Sequence, residues 1–214
     1  MSRRSDDAGS PAALTMTPTT CQGDPFEGQG LSLGRRTITI NHTPVLTLWA
    51  AVVARRLGFG RDEALTLGRA VAGLSTYSRG VSVGLLAPSP KAIKDRRRNL
   101  KAGKRLQVDL LQRAVPMVRT RKGLRALNKD RLIAPDSVEQ YLEIKFGDAL
   151  KMVRSSMKRL ARSMSAPEIA QQADALYEKF RPKVPASVPG WVAEGKLDLA
   201  RIERLGKTKS ARRA

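Results

Sequence analysis

His42 and Cys21 are the only residues of their kinds in the 214-residue chain, and that limits its side-chain chemistry. One cysteine forms neither an internal disulfide nor a cysteine-based zinc site. Cys21 also lacks a neighbour that would activate its thiol. A histidine-based triad needs a nucleophile and an orienting acid beside His42, and the favoured reading of this residue is a local polar contact at a strand-to-helix junction. Glu139 and Glu143, four apart on one helix, could share a metal, but no histidine or second carboxylate pair at helical spacing completes the set. Gly28-Gln29-Gly30 with Gly34 has the wrong spacing for a dinucleotide loop, and no strand precedes it. Gly206-Lys207-Thr208 resembles the end of a P-loop, yet Arg201 occupies the place of its first glycine and no helix is expected to follow. The expectation is a non-enzymatic protein with no cofactor and no metal.

Binding is the chemistry for which the chain is well supplied. It carries 40 Lys and Arg against 19 Asp and Glu, a formal charge of +21 and a pI near 11.1. Between Lys91 and Arg131 stand fifteen cations and three aspartates, a net +12 and more than half of the whole excess. Such an excess repels itself unless a polyanion shares its surface, so nucleic acid is the first partner to consider and an anionic membrane the second. The residues expected to contact phosphates are Lys91, Lys94, Arg96, Arg97, Arg98, Lys101, Lys104, Arg105, Arg119, Arg121, Lys122 and Arg125. To these are added Lys151, Arg154, Lys158 and Arg162 on a later helix. DNA is preferred over RNA, because only 4% of residues are aromatic and few remain to stack on unpaired bases. An RNA-binding protein, or an adaptor for acidic partners, is the alternative.

These side chains need a frame, and 41% hydrophobic residues are enough for an aliphatic core. No run reaches the ~18 apolar residues of a spanning helix. Arg3-Arg4 is followed by Ser5-Asp6-Asp7 rather than by an apolar segment, so a cytoplasmic protein with no integral membrane contact is expected. Residues 1–34, rich in Ser, Thr, Pro and Gly, read as a disordered tail.

The pattern predicts a mainly α protein with a small antiparallel β element, an α+β class. Residues 35–90 hold a short strand at 36–40 and a helical hairpin. Thr43 is the expected cap of the first helix with Pro44 at its first position, and Gly58 ends it. Asp62 and Glu63 open the second helix, where the dipole favours carboxylates, and it is expected to stop by Arg79, before Gly80. From Val81 to Pro90 a connector is expected. Residues 91–134 form a basic arm and a β-ribbon. Its expected strands are 106–111, 115–120, 124–127 and 132–133, with turns at Arg121-Lys122-Gly123 and 128–131.

The hairpin resembles the helix-turn-helix of bacterial DNA-binding regulators over about twenty residues. Val53, Ala54, Leu57, Gly58, Phe59, Ala64 and Leu67 match its apolar, small and glycine positions. The resemblance implies a regulator that binds two half-sites as a homodimer; a nucleoid-type protein is the other DNA-binding form considered. A structural hairpin is the alternative, since phosphates would repel Asp62 and Glu63 at the groove-facing start of the second helix.

Residues 135–205 read as a helical unit. Leu142, Phe146, Ala149, Val153, Met157, Leu160 and Met164 make one continuous stripe, with an Asp136–Glu139 capping box at its start. Ser165-Ala166-Pro167-Glu168 starts another helix that Pro182 stops, and the two are expected to pack antiparallel. Trp191 lies in a proline-rich loop expected to cover them. Asp198 caps a last short helix over 199–205, and residues 206–214 form a basic tail.

Overall fold

Every residue of helix α1 (His42–Arg56) from Pro44 to Ala54 is buried, and a helix that is apolar all round must sit inside the molecule. The computed structural model describes residues 37–82, 105–128, 131–185 and 193–211, which belong to one compact unit, Gly34–Ala214. The mainly helical, α+β expectation holds. Around α1 pack α2 (Arg61–Ser82), α3 (Pro135–Phe146), α4 (Leu150–Arg162) and α5 (Ala166–Phe180). The sheet β2 (Arg105–Leu110), β3 (Arg113–Thr120), β4 (Gly123–Asn128), β5 (Arg131–Leu132) lies on the far side of α2. The expected tail, the basic arm at 91–104, the 129–130 turn residues, Cys21 and Trp191 lie outside the described residues.

Asn41 stands at the N-cap of α1, and Thr43 lies two residues further in, where its carbonyl accepts the Thr47 hydroxyl at 2.8 Å. The expected Thr43 cap is therefore displaced by two residues. Gly58, at φ +99°, ends the helix as expected. The close crossing of α1 and α2 depends on Gly68: a Cβ there would lie 2.4 Å from the Thr47 carbonyl oxygen. α2 continues through Gly80 to Ser82 rather than stopping before it.

α4 packs on α1 and α6 (Leu199–Ala211), and α5 packs on α1, because α1 offers apolar surface to both. Trp49 joins α1 to α5: its Nε1 donates to the Ala173 carbonyl at 2.9 Å, and its ring meets Phe180 edge-on at 5.2 Å. The Tyr177 hydroxyl donates to the His42 backbone carbonyl at 3.2 Å, a second tie between α5 and the start of α1. The α5 start forms as expected, with the Glu168 carboxylate accepting the Ser165 N–H at 2.8 Å.

The expected single helix over 136–164 breaks at Gly147, which adopts φ +51° and leads into a 3-10 turn, Gly147–Ala149. The apolar stripe survives the break: Leu142, Phe146, Val153, Met157, Leu160 and Met164 are buried and Ala149 is half-buried. The Asp136–Glu139 box does not form. Ala134 is the N-cap without a side-chain bond, and Glu139 instead reaches Arg154 at 2.8 Å and Arg61 at 3.7 Å.

Strand β1 (Thr37–Ile40) forms where expected, but its partner β6 (Gly195–Asp198) was not foreseen. They pair antiparallel with Thr37 opposite Asp198 and Ile40 opposite Gly195, and Lys183 bridges the other side of β6 at Lys196. Gly195 permits that approach, since a Cβ would lie 2.7 Å from the Lys183 carbonyl carbon. Asp198 caps α6 by accepting the Ala200 N–H at 2.9 Å, as expected. The helix then runs to Ala211, so residues 206–211 are helical rather than tail, and Gly206-Lys207-Thr208 lies inside it. Among the described residues, no helix is long and apolar enough to cross a membrane.

Candidate nucleic-acid interface

The basic β-ribbon is a four-stranded antiparallel meander in the order β2-β3-β4-β5. A two-residue turn, Leu111-Gln112, joins β2 to β3, and both residues have positive φ, +48° and +53°. The values suit a type I′ turn, whose twist matches the strands it joins. Leu111 therefore belongs to the turn, one residue inside the expected strand. The β3–β4 ladder stops at Met117 opposite Ala126, one step before Pro116, which has no N–H to continue it.

At the other end, Arg121-Lys122 turns β3 into β4. The Thr120 hydroxyl donates to the Gly123 carbonyl at 2.7 Å and accepts the Lys122 N–H at 3.2 Å. Gly123 takes φ +99°. This ordered tip carries Arg119, Arg121 and Lys122, all exposed. Among the described residues none of the three meets a carboxylate within 4 Å.

β5 pairs with the outer edge of β4 at Leu127 and Asn128, and the rest of that edge is closed by a helix. Leu124 and Ala126 turn their peptides away from β3, and the first turns of α2 meet them. Glu63 accepts the Leu124 N–H at 3.0 Å and, with its other oxygen, the Gly60 N–H at 2.9 Å. These two donors, Leu124 first, hold the Glu63 carboxyl below the usual carboxylate range. Thr66 accepts the Ala126 N–H at 3.2 Å while donating to the Glu63 carbonyl at 2.9 Å.

Asp62 pairs with Arg125 at 3.0 Å, and the Arg125 side chain is only 9% exposed. Arg125 is therefore spent on the frame, which corrects its expected place among the phosphate contacts. The same contacts occupy the N-terminal face of α2, where the helix-turn-helix resemblance would need base-reading side chains. α1 is itself buried from Pro44 to Ala54 and presents none of these residues to a second copy.

On α4, Lys151, Lys158 and Arg162 are exposed, whereas Arg154 is half-buried and bonded to Glu139. The β3–β4 tip and the α4 ridge belong to different layers, with α2 and α1 between them. Lys91, Lys94, Arg96, Arg97, Arg98, Lys101 and Lys104 lie outside the described residues, and Arg105 is the first residue of β2. The part that sequence reasoning missed is the seam of Asp62, Glu63 and Thr66. The only signal was two acids at a helix start, which the helix dipole already explained.

Asp62, Asp136, Glu139 and Glu143 line a recess of about 230 Å³ between α2 and α3, together with Arg61, Leu65 and Gln140. Glu139 is already engaged by two arginines there, and among the described residues no cluster of three or more His, Cys, Asp or Glu is placed to hold a metal. What the geometry defines is a helical frame carrying a rigid cationic hairpin. Comparison with known protein families, characterised proteins and solved structures finds no match.

Proposed function

We propose that the protein is a non-catalytic nucleic-acid-binding protein that holds duplex DNA through phosphate contacts. The observation that carries this is the β3–β4 tip: Arg119, Arg121 and Lys122 stand within four residues on a hydrogen-bonded turn, exposed and without a carboxylate partner among the described residues. Lys or Arg side chains that neutralise phosphates release condensed counterions, and a rigid turn loses little entropy on docking. The exposed α4 cations Lys151, Lys158 and Arg162 form a separate cationic ridge, in another layer of the fold from the tip. Duplex DNA is favoured over single strands because no described aromatic side chain is exposed for base stacking.

The test is fluorescence anisotropy with duplex DNA, single-stranded RNA and a polyacidic peptide across a salt series. Changing Arg119, Arg121 and Lys122 together to Ala should flatten the log–log salt slope for duplex DNA by about 2.7, at about 0.9 per phosphate contact. An unchanged slope in a folded variant overturns the assignment of the tip. Equal affinity for all three probes reduces the binding to general polyanion attraction, and preference for the peptide makes the protein an adaptor for acidic partners.

A further inference from the structure

β2 is an edge strand: β3 lies on one side of it, and among the described residues no strand lies on the other. Which of its peptides face outward follows from the hairpin. A two-residue I′ turn closes on a hydrogen-bonded pair, here Leu110 opposite Arg113, and the hydrogen-bonded pairs of an antiparallel ladder recur at every second residue. Leu110, Val108 and Leu106 therefore turn their N–H and C=O towards β3. Asp109, Gln107 and Arg105 turn theirs to the open side.

An exposed row of this kind is a template for another strand, and protein edges are commonly blunted by lysine, proline or a bulge. Over Arg105–Leu110 the strand has no lysine, proline or bulge, and its two charged residues, Arg105 and Asp109, are of opposite sign. Leu106 is 45% exposed and Val108 half-buried beside it.

The strand is complementary to itself. Outward peptides must meet outward peptides, which restricts two antiparallel copies to registers that pair odd residues with odd. Centred on Gln107, the register sets Gln107 opposite Gln107, Leu106 opposite Val108 and Arg105 opposite Asp109, the last two pairs twice each by symmetry. Opposite charges and apolar neighbours then coincide along the whole strand. Moving the centre to Leu106 or to Val108 loses the charge pairing.

We propose that β2 is the seam of a homodimer, two copies pairing antiparallel along this edge with Gln107 on the two-fold axis. An isologous contact of this kind closes on itself and leaves no further edge of β2 open. Its small area places it among weak, concentration-dependent interfaces. The inference is independent of nucleic-acid binding, and its test is made on protein freed of nucleic acid.

Sedimentation equilibrium of the full chain should show a monomer–dimer equilibrium in the micromolar range. Gln107→Pro removes an N–H that β3 does not use, so it should leave the circular dichroism spectrum intact and abolish the dimer. Asp109→Arg sets like charges opposite each other and should weaken association roughly tenfold or more, and the exchange Arg105→Asp with Asp109→Arg should restore it. A wild-type monomer at every concentration overturns the proposal. So does a dimer indifferent to Gln107→Pro, or a folded double exchange that stays monomeric.

Discussion

Replacing Glu63 with alanine removes one carboxylate from two backbone donors, and the expected loss can be built from the two contacts. The Leu124 N–H is part-buried at the edge of β4 and has no strand to take over from Glu63. A hydrogen bond to a charged group at such a place contributes about 1.5 kcal/mol. The Gly60 N–H is exposed, so water replaces most of its bond and its loss costs about 0.5 kcal/mol. The sum, about 2 kcal/mol, lowers the Tm by roughly 4–8 °C in a chain of this size. Differential scanning calorimetry measures the total, and amide exchange at Leu124 localises it.

The effect also depends on pH. Because the Glu63 carboxyl titrates below its ordinary range, its contribution is full above the unfolded-state value and is lost as pH falls through the lowered folded value. The stability gap between wild type and Glu63→Gln should therefore be widest near neutrality and close in acid. A Glu63→Ala variant that melts within a degree of wild type, with Leu124 exchange unchanged, would refute the helix-capped edge.

Two further substitutions probe the frame. Gly68→Ala should cost about 2–3 kcal/mol in chemical denaturation despite the ~1 kcal/mol gain in helix propensity, because the new Cβ meets backbone atoms of α1 that cannot swing aside. Arg125→Met should lie within about 1 kcal/mol of wild type, whereas Asp62→Asn, which leaves a buried guanidinium without its partner, should cost about 2 kcal/mol; a reversed order would show that the pair does not hold the ribbon to α2.

The helical hairpin, the meander and the start of α5 were legible because each rests on neighbours in sequence: a glycine at a turn, alternating apolar residues, a serine three before a glutamate. What escaped was set by distant partners. β6 has only four residues, too few for a period, and exists because β1 and Lys183 flank it. The stripe from Leu142 to Met164 looked continuous because Gly147 interrupts the backbone without disturbing the order of apolar residues. Arg125 looked like any other cation of the basic region. Only the fold reveals that Asp62 lies beside it, just as it separates the exposed Arg119, Arg121 and Lys122 from a buried neighbour of the same charge.

The pairing of Thr37–Ile40 with Gly195–Asp198 also fixes an order of events during synthesis. On the ribosome, α1, α2 and the meander can associate as they emerge, since β4 finds the side chains of α2 already made. β1 has no such partner. Ile38, Ile40 and the unpaired peptides between them must wait until β6 leaves the exit tunnel, and long-range pairings of this kind are the slow ones to close. The first strand of the fold thus closes among its late contacts, and a nascent chain arrested after Pro185 would display an unsatisfied strand for chaperones to hold.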